Sequence, residues 1–339
     1  MIKTINCNNK NYIKKIEFFL EKRKKDEKFN TKLVSNIINE VRKNKVKALL
    51  KFEKRFSKNK NIKPTKTQIK NTIKKLDPKV KKAIDFAYYR ILKFHSMQLK
   101  YLKNIIYKDR FNNKLEYKNI PIEAVGIYVP GNLPSTLLMN SIPAKLAKVK
   151  RLVLATPKIN GNLNPAVLYA AKKVGIKEIY SFGGAQAIAS LAYIQKVNKV
   201  VGPGNKFVAE AKRQLAGKII GTESMFAGPS EICVLADKNS DIDQVATSLI
   251  SQAEHDPDSQ CILVTKDKNL ISKVKKRILE LIKNLPRKKI ANTSLRRHGL
   301  IVKVKNDKQI IEVINAISTE HLELLVKNFK KYSKKITNA

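Results

Sequence analysis

The spacing of hydrophobic residues changes near residue 120. Before that point apolar residues recur every three or four positions, as on one face of a helix. In TKLVSNIINEVRKNKVKALLKFEKRF, Val34, Ile37, Ile38 and Val41, then Val46, Leu49 and Leu50, keep helical spacing. DPKVKKAIDFAYYRILKFHSMQLKYL predicts a further helix with Pro78 at its start, where a missing N–H costs nothing. The polar stretch SKNKNIKPTK predicts a solvated loop between them. Residues 1 to about 110 are therefore expected to be helical. Beyond 120, short unbroken apolar runs alternate with helical patterns: EAVGIYV, RLVLATP, KEIYSFG, NKVVGPG, EICVLAD, CILVT and GLIVKV. Alternation of this kind predicts parallel strands joined by right-handed crossovers, and unbroken runs suit strands covered on both faces. The expected fold is α/β, with two Rossmann-like parallel-sheet units behind a helical N-terminal region. The expected bounds are 1–119, 120–225 and 226–339. Ligands are expected at the carboxyl ends of the strands.

Composition narrows the class. A chain of 339 residues has room for about two domains. No apolar run approaches the ~18 to 20 residues of a membrane span. The start, MIKTINCNNKNYIKK, has no apolar signal core. Cys7, Cys233 and Cys261 form no CxxC pair, which fits a reducing cytoplasm. The formal charge of +43 raises the alternative of a basic nucleic-acid-binding protein. Yet the lysines are scattered over every segment, without the interleaved aromatics of a single-strand binder. A chain rich in Lys, Asn and Ile suits an AT-biased genome. No specific nucleic-acid partner and no membrane partner are expected, only weak salt-sensitive binding.

Candidate chemistry lies around the strand ends. GIYVPGNLPST places Tyr128 at one such end. FGGAQAIASLA has Gly183-Gly184 and then Gln186 at a helix head, and VGPGNKFVAEAKRQ starts a helix near Asn205 behind Gly202-Pro203-Gly204. Free N–H groups at a helix start suit an anion such as a pyrophosphate. Glycine turns are also common wherever strands feed helices, and GxGxxG is absent. Phe207, Ala211 and Leu215 are expected to form the buried stripe of the second helix. AGPSE presents Ser230 on a Gly-Pro turn, for which a plain cap is the alternative. In DIDQVATSLISQAEHDPDSQ, Ser240 and Asp243 have capping-box spacing, and Gln252 and His255, three apart, share a helix face that Pro257 ends. In NDKQIIEVINAISTEHLELLV, Asn306 caps, and Glu320-His321 at an element boundary could handle protons or be two surface residues. His95 is expected to lie on a helix face.

GIYVPG, FGGAQAIA, VGPGNKFVAEAKRQ, AGPSE, SQAEHDPDSQ and EHLELLV together resemble histidinol dehydrogenases, in that family's order and over essentially the whole chain. The resemblance implies a cytoplasmic homodimer of histidine biosynthesis. Such an enzyme oxidises L-histidinol via L-histidinal to L-histidine with two NAD and one water at a zinc (Zn2+) site. It implies Gln252 and His255 as zinc ligands that also face substrate, and Ser230 as a substrate contact. Tyr128, Gln186 and Asn205 are implied as NAD contacts, and Glu320 and His321 as the catalytic pair, both also touching substrate.

Several positions depart from the family pattern. Family members continue past the equivalent of Ala339 and carry an aspartate and a histidine there as further metal ligands. Asp256, Asp258 and His298 are local candidates at no family ligand position. GNLPS and AYIQKVNK are shorter than their family counterparts, and GTESM lacks the usual aspartate before its methionine. An inactive, truncated remnant lacking a complete zinc site is therefore a second expectation.

Overall fold

The computed structural model describes residues 2–8, 11–25, 31–223 and 230–339. In chain order, β1 (Lys3–Asn6) and α1 (Tyr12–Lys25) come first. A helical stretch follows: α2 (Thr31–Ser57), α3 (Lys66–Ile73) and α4 (Pro78–Gln98). Then come β2 (Ile105–Lys108), β3 (Lys114–Tyr117), β4 (Ala124–Tyr128), α5 (Pro134–Leu146), β5 (Arg151–Ala155) and α6 (Pro165–Val174). The alternation continues with β6 (Glu178–Tyr180), α7 (Gly184–Tyr193), β7 (Lys199–Val201), α8 (Lys206–Leu215) and β8 (Gly221–Thr222). The last part holds β9 (Glu231–Ala236), α9 (Ile242–Ala253), β10 (Gln260–Thr265), α10 (Lys268–Ile282) and α11 (Lys288–His298). It ends with β11 (Gly299–Lys303), α12 (Asp307–Ile317), β12 (His321–Leu325) and α13 (Phe329–Ser333). All seven apolar runs named from the sequence are strands, and the fold is α/β with parallel sheets.

Two compact units emerge: Asn30–Ala227, and Met1–Phe29 together with Gly228–Ala339. The sequence-derived boundary between 225 and 226 lies outside the described residues. In the central unit, β6-β5-β4-β7-β8 form one parallel sheet. Val125, Ile127 and Leu154 pack on α5 and α6, with Ile84 of α4 in the same cluster. On the other face a Cβ at Gly126 would touch Leu191 of α7 at 3.1 Å, so the strand and helix backbones approach closely there.

The other unit is a parallel sheet of order β1-β11-β10-β9-β12. Ile232, Val234 and Leu263 face α9, α10 and α11, whereas Cys233, Leu235 and Ile262 face α1 and α12. The alternation is that of strands buried on both sides. The three cysteines are free and buried, and burial pushes Cys233 and Cys261 up to about 12.

Three expectations for the first 119 residues need correction. β1 is a strand, not helix, and pairs in parallel with β11 at the sheet edge. Ile105–Lys108 and Lys114–Tyr117 form an antiparallel hairpin of their own. In α2 the backbone breaks at Lys45 (φ 48°), which turns the second half of the helix. Val34, Ile37, Ile38 and Val41 are buried as expected, but beyond the break Ala48, Leu49, Phe52 and Glu53 face inward while Val46 and Leu50 are exposed. Two smaller corrections concern helix faces. Val208, Ala211, Lys212 and Leu215 form the buried stripe of α8, with Phe207 only half-buried. The cap of α9 is Asp241, which accepts from the N–H groups of Asp243 and Gln244, while the Ser240 hydroxyl bonds Asp237 and Leu325. His95 lies on α4 and bonds Gln98 at 2.7 Å, as a helix-face residue does.

Asp307 links three elements. Its carboxylate accepts from Lys266 at 2.9 Å, Lys331 at 2.5 Å and the Tyr332 hydroxyl at 2.8 Å. These donors, Lys331 foremost, hold its pKa well below the usual carboxylate range. The charged form is therefore favoured by folding, and its stabilisation is present above the ordinary carboxylate pKa and lost as pH falls below it. Asp307→Asn should cost about 1 to 2 kcal/mol at neutral pH. The deficit should shrink on acidification below about pH 4, as measured by denaturant unfolding at several pH values.

Candidate active site

In the central unit the candidate cofactor residues sit at the carboxyl ends of the strands. Tyr128 ends β4 and is buried, and its hydroxyl accepts a long hydrogen bond of 3.4 Å from the Gly184 N–H. Burial pushes Tyr128 up to about 12, so the phenol keeps its proton at neutral pH. Gln186 lies in the first turn of α7, and its Nε2 donates to Glu53 Oε1 at 2.8 Å. Gly184 has φ +65°, and a Cβ there would lie 2.8 Å from Gln186 Oε1, so the turn leaves the carboxamide oxygen room over bare backbone. At β7, Gly202 (φ +109°) brings the chain so close to Tyr128 that a Cβ would fall 2.0 Å from its carbonyl oxygen. Tyr128 and Gln186 thus meet around one turn, and the start of the Asn205 loop lies against the end of β4. The Asn205 side chain is the cap of α8, accepting from the N–H groups of Phe207 and Val208 at 3.1 and 3.2 Å.

Two further residues complete this region. Glu53, 1% exposed, accepts from the Gly183 N–H at 3.0 Å as well as from Gln186. Free N–H groups at the FGG turn would suit a ligand anion, and a plain glycine turn was the alternative. An internal carboxylate already bonds one of these N–H groups. Lys212, 3% exposed, donates to the Gly202 carbonyl and to Glu223. Burial lowers its pKa, and the Glu223 partner opposes the shift. Neither residue was legible beforehand, because each occupies a position that helical periodicity assigns to an apolar side chain. Ser224 and Met225 of GTESM lie outside the described residues.

In the other unit the candidates lie at the opposite ends of their strands. Ser230 immediately precedes β9, His255 lies in the turn before β10, and His321 opens β12. The order β10-β9-β12 makes these strands neighbours, and the register pairs Gln260 with Glu231 and His321 with Ile232. With strands about 4.8 Å apart, the three starts span about 10 Å. The candidates of this sheet therefore do not lie at the carboxyl ends of its strands, where ligands were sought. They cluster on the amino edge: Ser230 directly precedes β9, and His255 and Glu320-His321 follow α9 and α12, which run back to that edge.

Gln252 reaches the same edge from α9. The Ser248 hydroxyl bonds Glu323 Oε2 at 2.6 Å. One helical turn on from Ser248 is Gln252, and two residues back from Glu323 is His321. Both steps cover about 6 to 7 Å towards the amino edge, which sets Gln252 beside His321. The helix ends earlier than expected, at Ala253 with Glu254 as C-cap, so His255 lies just beyond the helix. Its N–H still bonds the Gln252 carbonyl at 3.2 Å, and Arg287 donates to its own carbonyl at 3.1 Å. Gln252 is buried and His255 exposed. Neither side chain has a hydrogen-bond partner among the described residues.

Glu320 and His321 are exposed neighbours. His321 Nδ1 lies 3.0 Å from the Glu231 carbonyl oxygen and 3.6 Å from Glu320 Oε2. Asp258 lies 3.7 Å from Nε2 of buried His298, whose pKa is lowered by burial and by the nearby Arg23. Asp256 caps its own turn through the Asp258 N–H. Among the described residues no group of three or more His, Cys, Asp and Glu is placed to hold a metal ion. Gln252 and His255 are two neutral donors, and a zinc shell takes about four ligands. The residues present do not close such a shell by themselves.

The chain is similar to known proteins over essentially its whole length. A family model for histidinol dehydrogenase matches residues 20–339. A histidinol dehydrogenase of Pelagibacter ubique is 52% identical, covering 100% of this chain and 80% of that protein. One of Acinetobacter baylyi is 40% identical, covering 91% and 74%. The crystal structure of a histidinol dehydrogenase from Elizabethkingia anophelis matches with a TM-score of 0.89 at 33% identity, covering 100% of this chain and 79% of that one. A methylmalonate-semialdehyde dehydrogenase from Oceanimonas doudoroffii, at 12% identity and a TM-score of 0.51 over 75% and 68%, shares the fold alone. With a match of this extent and a relative identical at half its positions, the chain belongs to the histidinol dehydrogenase family.

Proposed function

We propose that the chain oxidises L-histidinol via L-histidinal to L-histidine, an NAD-dependent and zinc-assisted reaction. The observation that carries this reading is the gathering of Ser230, Gln252, His255, Glu320 and His321 at the amino edge of three adjacent strands. NAD, when bound, supplies the hydride acceptor, and Tyr128, Gln186 and Asn205 are the residues that would contact it. Gln252 and His255 would contribute two of the zinc ligands. Because the residues present do not close the shell, the steps below use protein groups alone.

Hydride leaves the carbinol carbon only as the hydroxyl proton leaves too, so a base must stand beside that hydroxyl. Neutral His321 takes that proton. The second oxidation needs the aldehyde hydrate, and the exposed Glu320 carboxylate accepts a proton from the water that adds to the carbonyl carbon. With one proton already on Glu320, the hydrate monoanion gives its hydride to a second NAD and becomes the carboxylic acid, which releases its proton to solvent as the carboxylate. Ser230 and Gln252 hold the substrate so that these atoms stay in line.

Free buried cysteines suit a cytoplasmic location, and no helix among the described residues is long and apolar enough to cross a membrane. A homodimer draws support from the β2–β3 hairpin. Ile105, Ile106, Tyr107, Leu115 and Tyr117 are each about 60% exposed on both of its faces. An isolated hairpin is marginal in water, and a second copy of the chain would cover it. A protein that keeps the fold without turnover is the competing reading, favoured by the two-donor metal set.

NADH formation from L-histidinol with added zinc decides between these readings, and absence of turnover supports the second. His321→Asn should lower kcat about 10³-fold with little change in KM. Glu320→Gln should slow L-histidinal oxidation more than L-histidinol oxidation in separate assays of the two steps. Glu53→Ala should raise KM for NAD about tenfold, the equivalent of one charge-assisted hydrogen bond. Ile106→Lys combined with Leu115→Lys should shift the sedimentation coefficient from dimer to monomer.

A further inference from the structure

We infer that Arg23 and Glu231 are positioning residues for His321. They hold its imidazole in the tautomer that carries the proton on Nδ1 and leaves the Nε2 lone pair as the base. The inference rests on the proposed role of His321 and adds what sets its protonation pattern.

His321 Nδ1 lies 3.0 Å from the main-chain oxygen of Glu231. A carbonyl oxygen only accepts, so Nδ1 must carry the hydrogen. A neutral imidazole has one N–H, so Nε2 is then the unprotonated nitrogen. Nε2 has no partner among the described residues, and the imidazole is 55% exposed. Glu320 Oε2, at 3.6 Å from the same Nδ1, is beyond hydrogen-bond range. It favours that orientation by charge and keeps its own oxygens available for water.

The carbonyl that selects the tautomer belongs to the first residue of β9, where strand pairing alone is least able to fix the backbone. On one side Ser230 accepts from the Gln260 N–H at 2.9 Å. The Glu231 side chain projects to the same face as Cys233 and Leu235, which pack with Ile16 of α1. Arg23 follows Ile16 by two helical turns, on the same stripe of α1. It forms an ion pair with the Glu231 carboxylate, with side chains 10% and 23% exposed. A guanidinium and a carboxylate in this setting constrain direction as well as distance. α1 follows β1, at the far edge of the sheet from β12, so the N-terminal segment reaches across the strands to hold the residue against which His321 docks.

The test uses the 339-residue chain labelled with ¹⁵N-histidine. Four histidines give four imidazole signals, and His321→Asn identifies the one of interest. The expected result is the Nδ1–H tautomer of His321 in the unmodified protein and a mixture of tautomers in Arg23→Gln. In that variant kcat for L-histidinol should fall about tenfold or more with KM within about twofold. Arg23→Lys should restore part of the loss. Glu231→Gln, which keeps the main-chain carbonyl, should behave as Arg23→Gln does and replaces it should that variant fail to fold. An Nε2–H tautomer in the unmodified protein overturns the inference, as do variants in which both tautomer and kcat are unchanged. An Nδ1–H tautomer in a protein without histidinol turnover upholds the positioning and overturns the proposed function instead.

Discussion

Parallel pairing of β10, β9 and β12 is the constraint on which the candidate site depends. In a parallel sheet every strand starts on the same edge, so residues far apart in sequence become neighbours simply by preceding adjacent strands. Ser230, His255 and His321 need no long loop to meet, since the hydrogen-bond register places them. The same register sets the Glu231 carbonyl beside His321 and allows α9, running back over the sheet, to deliver Gln252 to the same edge. A slip of one residue in β12 would turn His321 towards the α1 and α12 face and destroy the arrangement.

The candidate residues occupy opposite strand ends in the two sheets. In the central unit Tyr128 ends β4, and Gln186 and Asn205 follow β6 and β7, as the general rule for open α/β sheets leads one to expect. In the other unit the residues precede their strands. A shared fold plan therefore does not predict where a site lies, and the side chains decide it.

Much of the architecture was legible in the sequence because unbroken apolar runs and helical stripes are direct records of burial. EAVGIYV, EICVLAD and CILVT could hardly be anything but covered strands, and each is one. The family was legible for a different reason, the order of short motifs around Gln252, His255, Glu320 and His321. What escaped were features that depend on partners distant in sequence. KTIN reads as a polar start and becomes a strand only because β11 offers it an edge. Glu53 and Lys212 occupy inward positions that periodicity gives to apolar residues, and each is tolerated because glycine-turn groups and an opposite charge or amide stand opposite. The Lys45 break in α2 was invisible because apolar spacing continues through it in sequence while the helix axis does not.

The pairing of Lys3 with Leu300 also bears on how the molecule is made. On a ribosome, Asn30–Ala227 can collapse as soon as it emerges. β1 and α1 must wait for roughly 300 further residues, about 15 to 60 s at ordinary elongation rates. Throughout that interval β1 has no strand to pair with. Closure of the unit that carries His321 therefore waits until β11 has been made, although its first strand was made long before.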